Sequence, residues 1–194
     1  MLFNTLKQFN WVDIFVVILL LRIGYIAIKK GFSIELFKLL GTVLATYLSF
    51  HYYLIFSDYI GSRIRLNKIP LEYLTSLIFV VLGFLGYLIF AILRNLFYRF
   101  IKMEAVPNLN KWGGLVLGLA RGVLSVSLII FILVISPLGY LKDSVTGSYS
   151  GKYLFKVAPT IYSGLWNSMA PKSITQQKFN KAILKIPQRP VPKK

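Results

Sequence analysis

Four long apolar runs constrain the fold of this chain more than any other feature. They cover approximately residues 11–28, 32–56, 71–97 and 112–137. At a rise of about 1.5 Å per residue, each run forms a helix long enough to cross roughly 30 Å of hydrocarbon. The 194 residues are 56% hydrophobic with a mean hydropathy of +0.66, so a soluble fold would expose too much apolar surface. The sequence therefore predicts an all-α integral membrane protein with four transmembrane helices in a domain of residues 1–137.

Short connections join the four runs. Gly31 marks a tight turn after the first run, and Ser33 follows as a candidate N-cap of the second helix. Residues 57–70 and 98–111 are predicted to be short loops, and the second contains Pro107 as a helix breaker. The sequence predicts no separate domain between the helices.

Residues 138–171 have a different pattern from the runs before them. Pro159 can begin a helix, because its fixed φ suits the first helical turn. Five apolar residues then recur at helical spacing on one face: Ile161, Tyr162, Leu165, Trp166 and Met169. This pattern predicts a C-terminal amphipathic helix that lies in the membrane interface.

Basic residues are concentrated in the tail of the chain, residues 172–194, which has seven Lys or Arg residues and no acidic residue. This composition predicts disorder, with contacts to anionic lipid headgroups through Lys178, Lys181 and Lys185. Over the whole chain, 23 Lys and Arg residues against 6 Asp and Glu residues give a net charge of +17. No nucleic-acid-binding motif accompanies the charge, so we expect membrane lipids and no nucleic acid as partners.

The topology follows from the number of crossings and from the tail. Four crossings place both termini on the same side of the membrane. The basic tail gives that side the larger share of positive charge, as is typical of cytoplasmic flanks. We therefore expect both termini in the cytoplasm.

The residue types present exclude several kinds of chemistry. The chain has no cysteine, so disulfides, thiolate catalysis and cysteine-ligated zinc are excluded. The single histidine, His51, and six scattered acidic residues make a poor metal site. No nucleophile elbow, phosphate-binding loop, dinucleotide fingerprint or zinc-protease motif is present. The sequence predicts a protein that is not an enzyme, has no cofactor or metal, and uses His51 as an ordinary interfacial residue.

The fourth run carries a ladder of glycines. Gly114, Gly118 and Gly122 recur every four residues, a spacing that lets two helix backbones approach closely in a membrane. Gly24 and Gly41 are further small residues for helix packing, in the first and second runs. We expect the glycine face to point into the bundle or towards a partner subunit, and close packing alone would also explain it.

Arg121 places a charge on this glycine face, well inside the fourth run. A buried guanidinium is costly unless it is paired, so Arg121 needs a carboxylate. Glu35 enters the second helix from the same side of the membrane, whereas Asp13 and Glu72 enter from the opposite side. We predict an intramembrane ion pair of Arg121 with Glu35, which stabilises the fold or, alternatively, relays a proton or an anion.

Asp13 lies near the start of the first run, on the helical face that also carries Gly24 and Gly31. This placement predicts that Asp13 faces protein, where it caps the first helix or, alternatively, serves a cation or a proton. Arg22 lies on the opposite face, from which it either extends to the interface or meets Glu35.

Three segments together resemble a known family. NWVDIFVVILLL has an aspartate just inside the first helix, at Asp13, and KKGFSIELFKLLG has Gly31 and Glu35 at the first hairpin. LNKWGGLVLGLARG holds the glycine ladder and an arginine–glycine pair that begins at Arg121. In order and spacing they resemble the bacterial CvpA proteins, the colicin V production protein family, over about residues 9–137 and weakly in the tail.

The resemblance implies a multi-pass protein of the bacterial cytoplasmic (inner) membrane. It implies a role in the production or export of colicin V, a peptide toxin, or in envelope maintenance, and it implies no reaction. One position departs from the family pattern, which usually has an aspartate and then a basic residue ahead of the fourth helix. This chain has Asn110 and Lys111 there.

Two functional hypotheses follow. In the first, a non-enzymatic membrane protein assembles through its glycine face, as a homo-oligomer or with another membrane protein, and supports toxin production or the envelope. In the second, the chain is a small channel or transporter subunit, in which Arg121, Lys38 and Arg22 line a path for anions or protons.

Overall fold

The described residues form a bundle of helices. The computed structural model describes residues 10–63, 70–100, 107–169 and Asn180, and within these ranges the chain forms seven α-helices and no strand. They are α1 Trp11–Lys30, α2 Phe32–Arg63, α3 Leu71–Phe100, α4 Pro107–Ile135, α5 Gly139–Thr146, α6 Tyr149–Leu154 and α7 Val157–Met169. The first four are long and apolar enough to cross a membrane, which confirms the predicted all-α architecture with four spanning helices.

Two spanning helices extend five or more residues beyond one end of their apolar runs. α2 continues to Arg63, beyond the predicted end at position 56, and α4 begins at Pro107, inside the predicted loop. Pro107 begins a helix rather than breaking one, because the first residue of a helix has no intrahelical N–H bond to lose. The apolar run marks only the part of each helix that hydrocarbon can cover.

The spanning helices pack in the order α1, α4, α2, α3. α4 lies between α1 and α2, and α3 packs mainly against the other side of α2. Although α1 and α2 are consecutive in sequence, they share few contacts because α4 separates them. Side chains of α4 can therefore bond to both helices of the first hairpin.

Aromatic side chains form a core in which the C-terminal helices take part. Phe50 of α2 and Phe131 of α4 are fully buried, with ring centroids 4.5 Å apart. Phe79 of α3 and Phe155, which lies between α6 and α7, stack on Phe131 at 5.1 and 5.7 Å. The segment after α4 is therefore packed into the bundle.

Part of the predicted amphipathic face, on α7, contacts protein. Tyr162 is fully buried, and its hydroxyl lies 3.0 Å from Nδ1 of His51, within hydrogen-bond distance. Burial raises the pKa of Tyr162 to about 12, so this hydroxyl stays protonated at neutral pH. His51 is buried against α7, and its ring stacks on Trp166 with centroids 5.1 Å apart. α2 therefore covers part of the face that the sequence predicts for the membrane interface.

The basic tail is described at one position only. The Asn180 side-chain amide donates a hydrogen bond to the Phe50 carbonyl oxygen at 2.9 Å, so this residue contacts the bundle. Lys178, Lys181 and Lys185 lie outside the described residues. Their contact with lipid headgroups stays a prediction.

Candidate functional site, an intramembrane ion-pair cluster

The turn between α1 and α2 positions the first buried charge. Gly31 ends α1 with a φ of 83°, a conformation that glycine adopts without steric cost. Asn110 of α4 accepts a hydrogen bond from the Phe32 N–H at 2.7 Å, and so caps α2 from a neighbouring helix. A Cβ atom at Gly31 would clash with the Asn110 side chain. Ser33, the predicted N-cap, lies inside the helix.

Glu35 lies one turn into α2 and is completely buried. Its Oε2 accepts a hydrogen bond from Arg121 Nε at 2.9 Å, and its Oε1 accepts one from Lys38 Nζ at 2.5 Å. Each basic side chain is 13% exposed. We call these three residues the charge cluster. With two positive charges and one negative charge, it has a net charge of +1.

The glycine ladder of α4 brings α1 up to the charge cluster. A Cβ atom at Gly118 would clash with Ala27 of α1 and lie 3.5 Å from Glu35 Oε2. A Cβ atom at Gly114 would lie 2.8 Å from the Ala27 carbonyl oxygen, and one at Gly122 would meet α1 side chains at 3.1 Å. All three glycines are buried. The glycine ladder therefore packs α4 against α1 within one chain, and α1 covers the glycine face of α4.

The two other predicted packing glycines differ in how closely they are approached. Gly24 faces α4, where a Cβ atom would lie 3.6 Å from Leu115, an ordinary contact. Gly41 faces α3, where a Cβ atom would lie 3.0 Å from Phe90 Cβ. A methyl group therefore fits more easily at Gly24 than at Gly41.

A groove of about 400 Å³ runs beside the charge cluster, between α3 and α4, with α2 as its floor. We call it the lateral groove. Most of its lining is apolar. Its polar side chains are Thr42, Ser49, Tyr87, Arg121 and Ser125. Its most exposed wall residues are Val80 and Phe84.

Two polar residues of α4, Arg121 and Ser125, line this groove. The terminal nitrogens of Arg121 and the hydroxyl of Ser125 make no hydrogen bond within the described part of the chain. The two residues are one turn apart, so their side chains lie on the same face of α4. They are available to hold a polar group in the groove.

Asp13 forms a second buried site, at the opposite end of α1. It makes a capping box with Asn10, whose N–H donates to Oδ2 at 3.0 Å. The same carboxylate accepts the N–H groups of Tyr149 and Ser150, at 3.2 and 2.7 Å, and the Ser150 hydroxyl at 2.5 Å. Asp13 therefore caps α1 and α6 at once. No cation of the described residues pairs with it.

These buried residues belong to a region that one family model covers. The model described as "Colicin V production protein" matches residues 12–159. The chain belongs to the colicin V production protein family. The match continues past α4, through α5 and α6, to the first turn of α7, so the family region is longer than the sequence segments suggested. No curated protein and no solved structure matches the chain.

In this member of the family, the structure brings some of the predicted site residues together and separates others. Arg121 and Glu35 are in contact, and Asp13 lies at the other end of α1. Arg22 is exposed on α1 and makes no ion pair with Glu35 in the described structure. Of the three cations expected to line an ion path, Lys38 and Arg121 therefore share one site. Among the described residues, no three His, Asp or Glu side chains are grouped to hold a metal ion.

Two contacts in the site were not predicted from the sequence, the ion pair of Lys38 with Glu35 and the hydrogen bond of Asn110 with Phe32. Lys38 follows Glu35 by three residues, a spacing that places both on one helix face and would have indicated the second ion pair. Asn110 had no such signal, because its bond to Phe32 joins residues that are 78 positions apart. Where the family usually has an aspartate, Asn110 still offers an oxygen that accepts this bond.

Proposed function

We propose that this chain is a non-enzymatic protein of the bacterial cytoplasmic membrane that supports the production or export of a colicin V-type peptide toxin, or envelope maintenance. The observation that carries the proposal is the family match over residues 12–159, which includes the spanning helices and both buried carboxylates. In this function the Glu35–Arg121 pair holds α4 against α2, and the glycine ladder holds α4 against α1.

The proposed partners are lipids and a second membrane protein. The outer faces of α1 and α3 expose apolar side chains, such as Leu21 at 69% and Ile92 at 53%, which suit lipid tails or another spanning helix. Assembly through the glycine ladder, expected from the sequence, would require α1 to move away from α4. We therefore place a second copy or another membrane protein on these outer faces.

Complementation tests the role in toxin production. The host is a bacterium that makes a colicin V-type toxin and lacks its own family member. We expect the chain to restore toxin activity in the culture medium, or growth on SDS if it maintains the envelope, and Glu35→Gln to restore neither. Glu72→Gln, which changes an exposed glutamate of α3, is the matched control and should restore what the wild type restores. A chain that reaches the membrane of this host and restores neither toxin release nor growth on SDS would refute the proposal.

Cysteine labelling tests the proposed orientation. The chain has no cysteine, so single introduced cysteines can be labelled without background. Lys30 at the end of α1 and Ser62 at the end of α2 are both exposed, and one spanning helix separates them. With cytoplasmic termini, an impermeant maleimide should label Lys30→Cys in spheroplasts and Ser62→Cys only after lysis. The reverse pattern would place the termini outside.

A further inference from the structure

Among the described residues, the charge cluster leaves one positive charge without a counterion. Lys38 and Arg121 carry two positive charges, and Glu35 supplies one negative charge. No other acidic side chain of the described residues pairs with either base. Because excess charge is costly within a membrane-spanning bundle, this arrangement favours the binding of an anion.

The terminal nitrogens of Arg121 indicate that the anion binds in the lateral groove, which Arg121 lines. Arg121 uses Nε for Glu35, which leaves both terminal nitrogens for a ligand. Ser125 lines the same groove one turn further along α4. A phosphate group is a strong acceptor for guanidinium nitrogens, often in a bidentate geometry, and for hydroxyls. The pair therefore suits a phosphate group.

The remainder of the groove has the shape and polarity for an acyl chain. Its walls beyond Arg121 include Val80 of α3 and Leu128 and Ile132 of α4. From Arg121 to Ile132, the wall extends over about eleven residues of α4, or roughly 16 Å. Val80 is 45% exposed and Phe84 is 63% exposed in the middle of α3, so the groove opens sideways, towards hydrocarbon. A sideways opening admits a ligand from the bilayer rather than an ion from water.

Basic side chains mark the end of the groove at which a headgroup would lie. A crevice between α2 and α3 shares Tyr87 with the groove and is lined by Lys38 and Arg94. Side chains lean towards the N-terminus of their helix, so Arg121 extends towards this same end of the bundle. Cations at one end and apolar walls at the other match an anionic amphiphile.

We propose that the lateral groove binds an anionic phospholipid of the surrounding bilayer. Its phosphate binds Arg121 and Ser125, and one acyl chain lies between α3 and α4 along the groove. The bound lipid supplies the negative charge that the cluster lacks. This binding is independent of the role in toxin production.

Native mass spectrometry of the full chain in a mild detergent tests the proposal. The protein is mixed with phosphatidylglycerol or phosphatidylcholine of identical acyl chains. We expect one phosphatidylglycerol to be retained, with a preference of at least about tenfold over phosphatidylcholine. Arg121→Gln should remove the preference, and Arg22→Gln, which changes an exposed arginine on α1, should leave it intact.

A second pair of variants blocks the groove and leaves the charge cluster unchanged. Val80→Trp fills the mouth of the groove, and Val17→Trp adds the same ring at an equally exposed position on α1, 47% against 45%. We expect Val80→Trp alone to lower phosphatidylglycerol retention by at least about tenfold. Equal retention of the two lipids, or unchanged retention in Val80→Trp, would overturn the proposal. A chloride flux into phosphatidylcholine vesicles that Val80→Trp blocks would also overturn it, because the groove would then serve a soluble anion.

Discussion

Asp13 and Glu35 are carboxylates buried at opposite ends of the bundle, and they are stabilised by different kinds of partner. Asp13, 3% exposed, accepts three backbone N–H groups and the Ser150 hydroxyl. Glu35, 0% exposed, contacts two cations, Lys38 and Arg121. The first carboxylate is satisfied by the N-termini of two helices, where the helix dipole favours negative charge. The second is satisfied by opposite charge.

This difference separates a structural site from one that can bind something more. Both oxygens of Asp13 are occupied by donors of the helices that it joins, so its bonds form as the chain folds. At Glu35 the cations outnumber the carboxylate, and Arg121, which lines a groove, has terminal N–H groups with no hydrogen-bond partner among the described residues. Excess positive charge, rather than burial, identifies the charge cluster as the functional candidate.

The largest effect is expected for Glu35→Gln, because it leaves two largely buried cations without their carboxylate. Removing one partner of a buried ion pair costs about 3–5 kcal/mol, and the free energy of unfolding, measured by SDS titration in mixed micelles, should fall by that amount. Arg121→Gln should cost less, since Lys38 still pairs with Glu35. A loss for Arg121→Gln as large as that for Glu35→Gln would contradict the central position of Glu35.

Asp13→Ala should have a smaller and more local effect. Hydrogen bonds to charged groups contribute about 1.5–3 kcal/mol, and the freed N–H groups near the membrane surface can regain water, so we expect a total loss of about 2–3 kcal/mol. Hydrogen exchange should quicken at Tyr149 and Ser150 and stay unchanged around Glu35. Asp58→Ala, at an exposed aspartate of α2, is the control. Faster exchange throughout the bundle would show that Asp13 does more than join α1 to α6.

The two carboxylates also differ in how many of their contacts could be predicted from the sequence. The contact of Glu35 with Arg121 follows from helix geometry, because position along a spanning helix fixes depth and face. The contact of Asp13 with Ser150 joins residues 137 positions apart and depends on how short helices pack after α4. The same holds for Ser127 of α4, which accepts the Ala158 N–H at the start of α7. Hydrophobic periodicity predicts the helices and the depth of each residue along them. Side chains that cap a helix distant in sequence can be identified only from the packed structure.

Gly118→Ala tests how closely Glu35 is enclosed. The added methyl group clashes with Ala27 of α1 beside the charge cluster. Overpacking costs about 1–3 kcal/mol, and the better helix propensity of alanine offsets up to about 1 kcal/mol of it, so we expect a net loss of about 1–2 kcal/mol. Gly164→Ala is the matched control, since no atom lies within 4 Å of its added Cβ. It should leave the melting temperature unchanged or raise it. A Gly118→Ala protein as stable as Gly164→Ala would mean that α1 does not approach α4 this closely.

The smallest effect on stability, and the most informative for the comparison, is expected for Lys38→Met. The substitution keeps the Glu35–Arg121 pair and a side chain of similar length, and it lowers the net charge of the cluster from +1 to 0. Because the carboxylate remains paired, the free energy of unfolding should change by no more than about 1 kcal/mol.

If the second cation is present for a ligand, the Lys38→Met variant should lose preference for phosphatidylglycerol while its melting temperature stays the same. If Lys38 instead serves only to stabilise Glu35, the variant should lose stability and keep its lipid preference. That outcome would make the charge cluster a structural site like Asp13, and would remove the distinction between the two carboxylates.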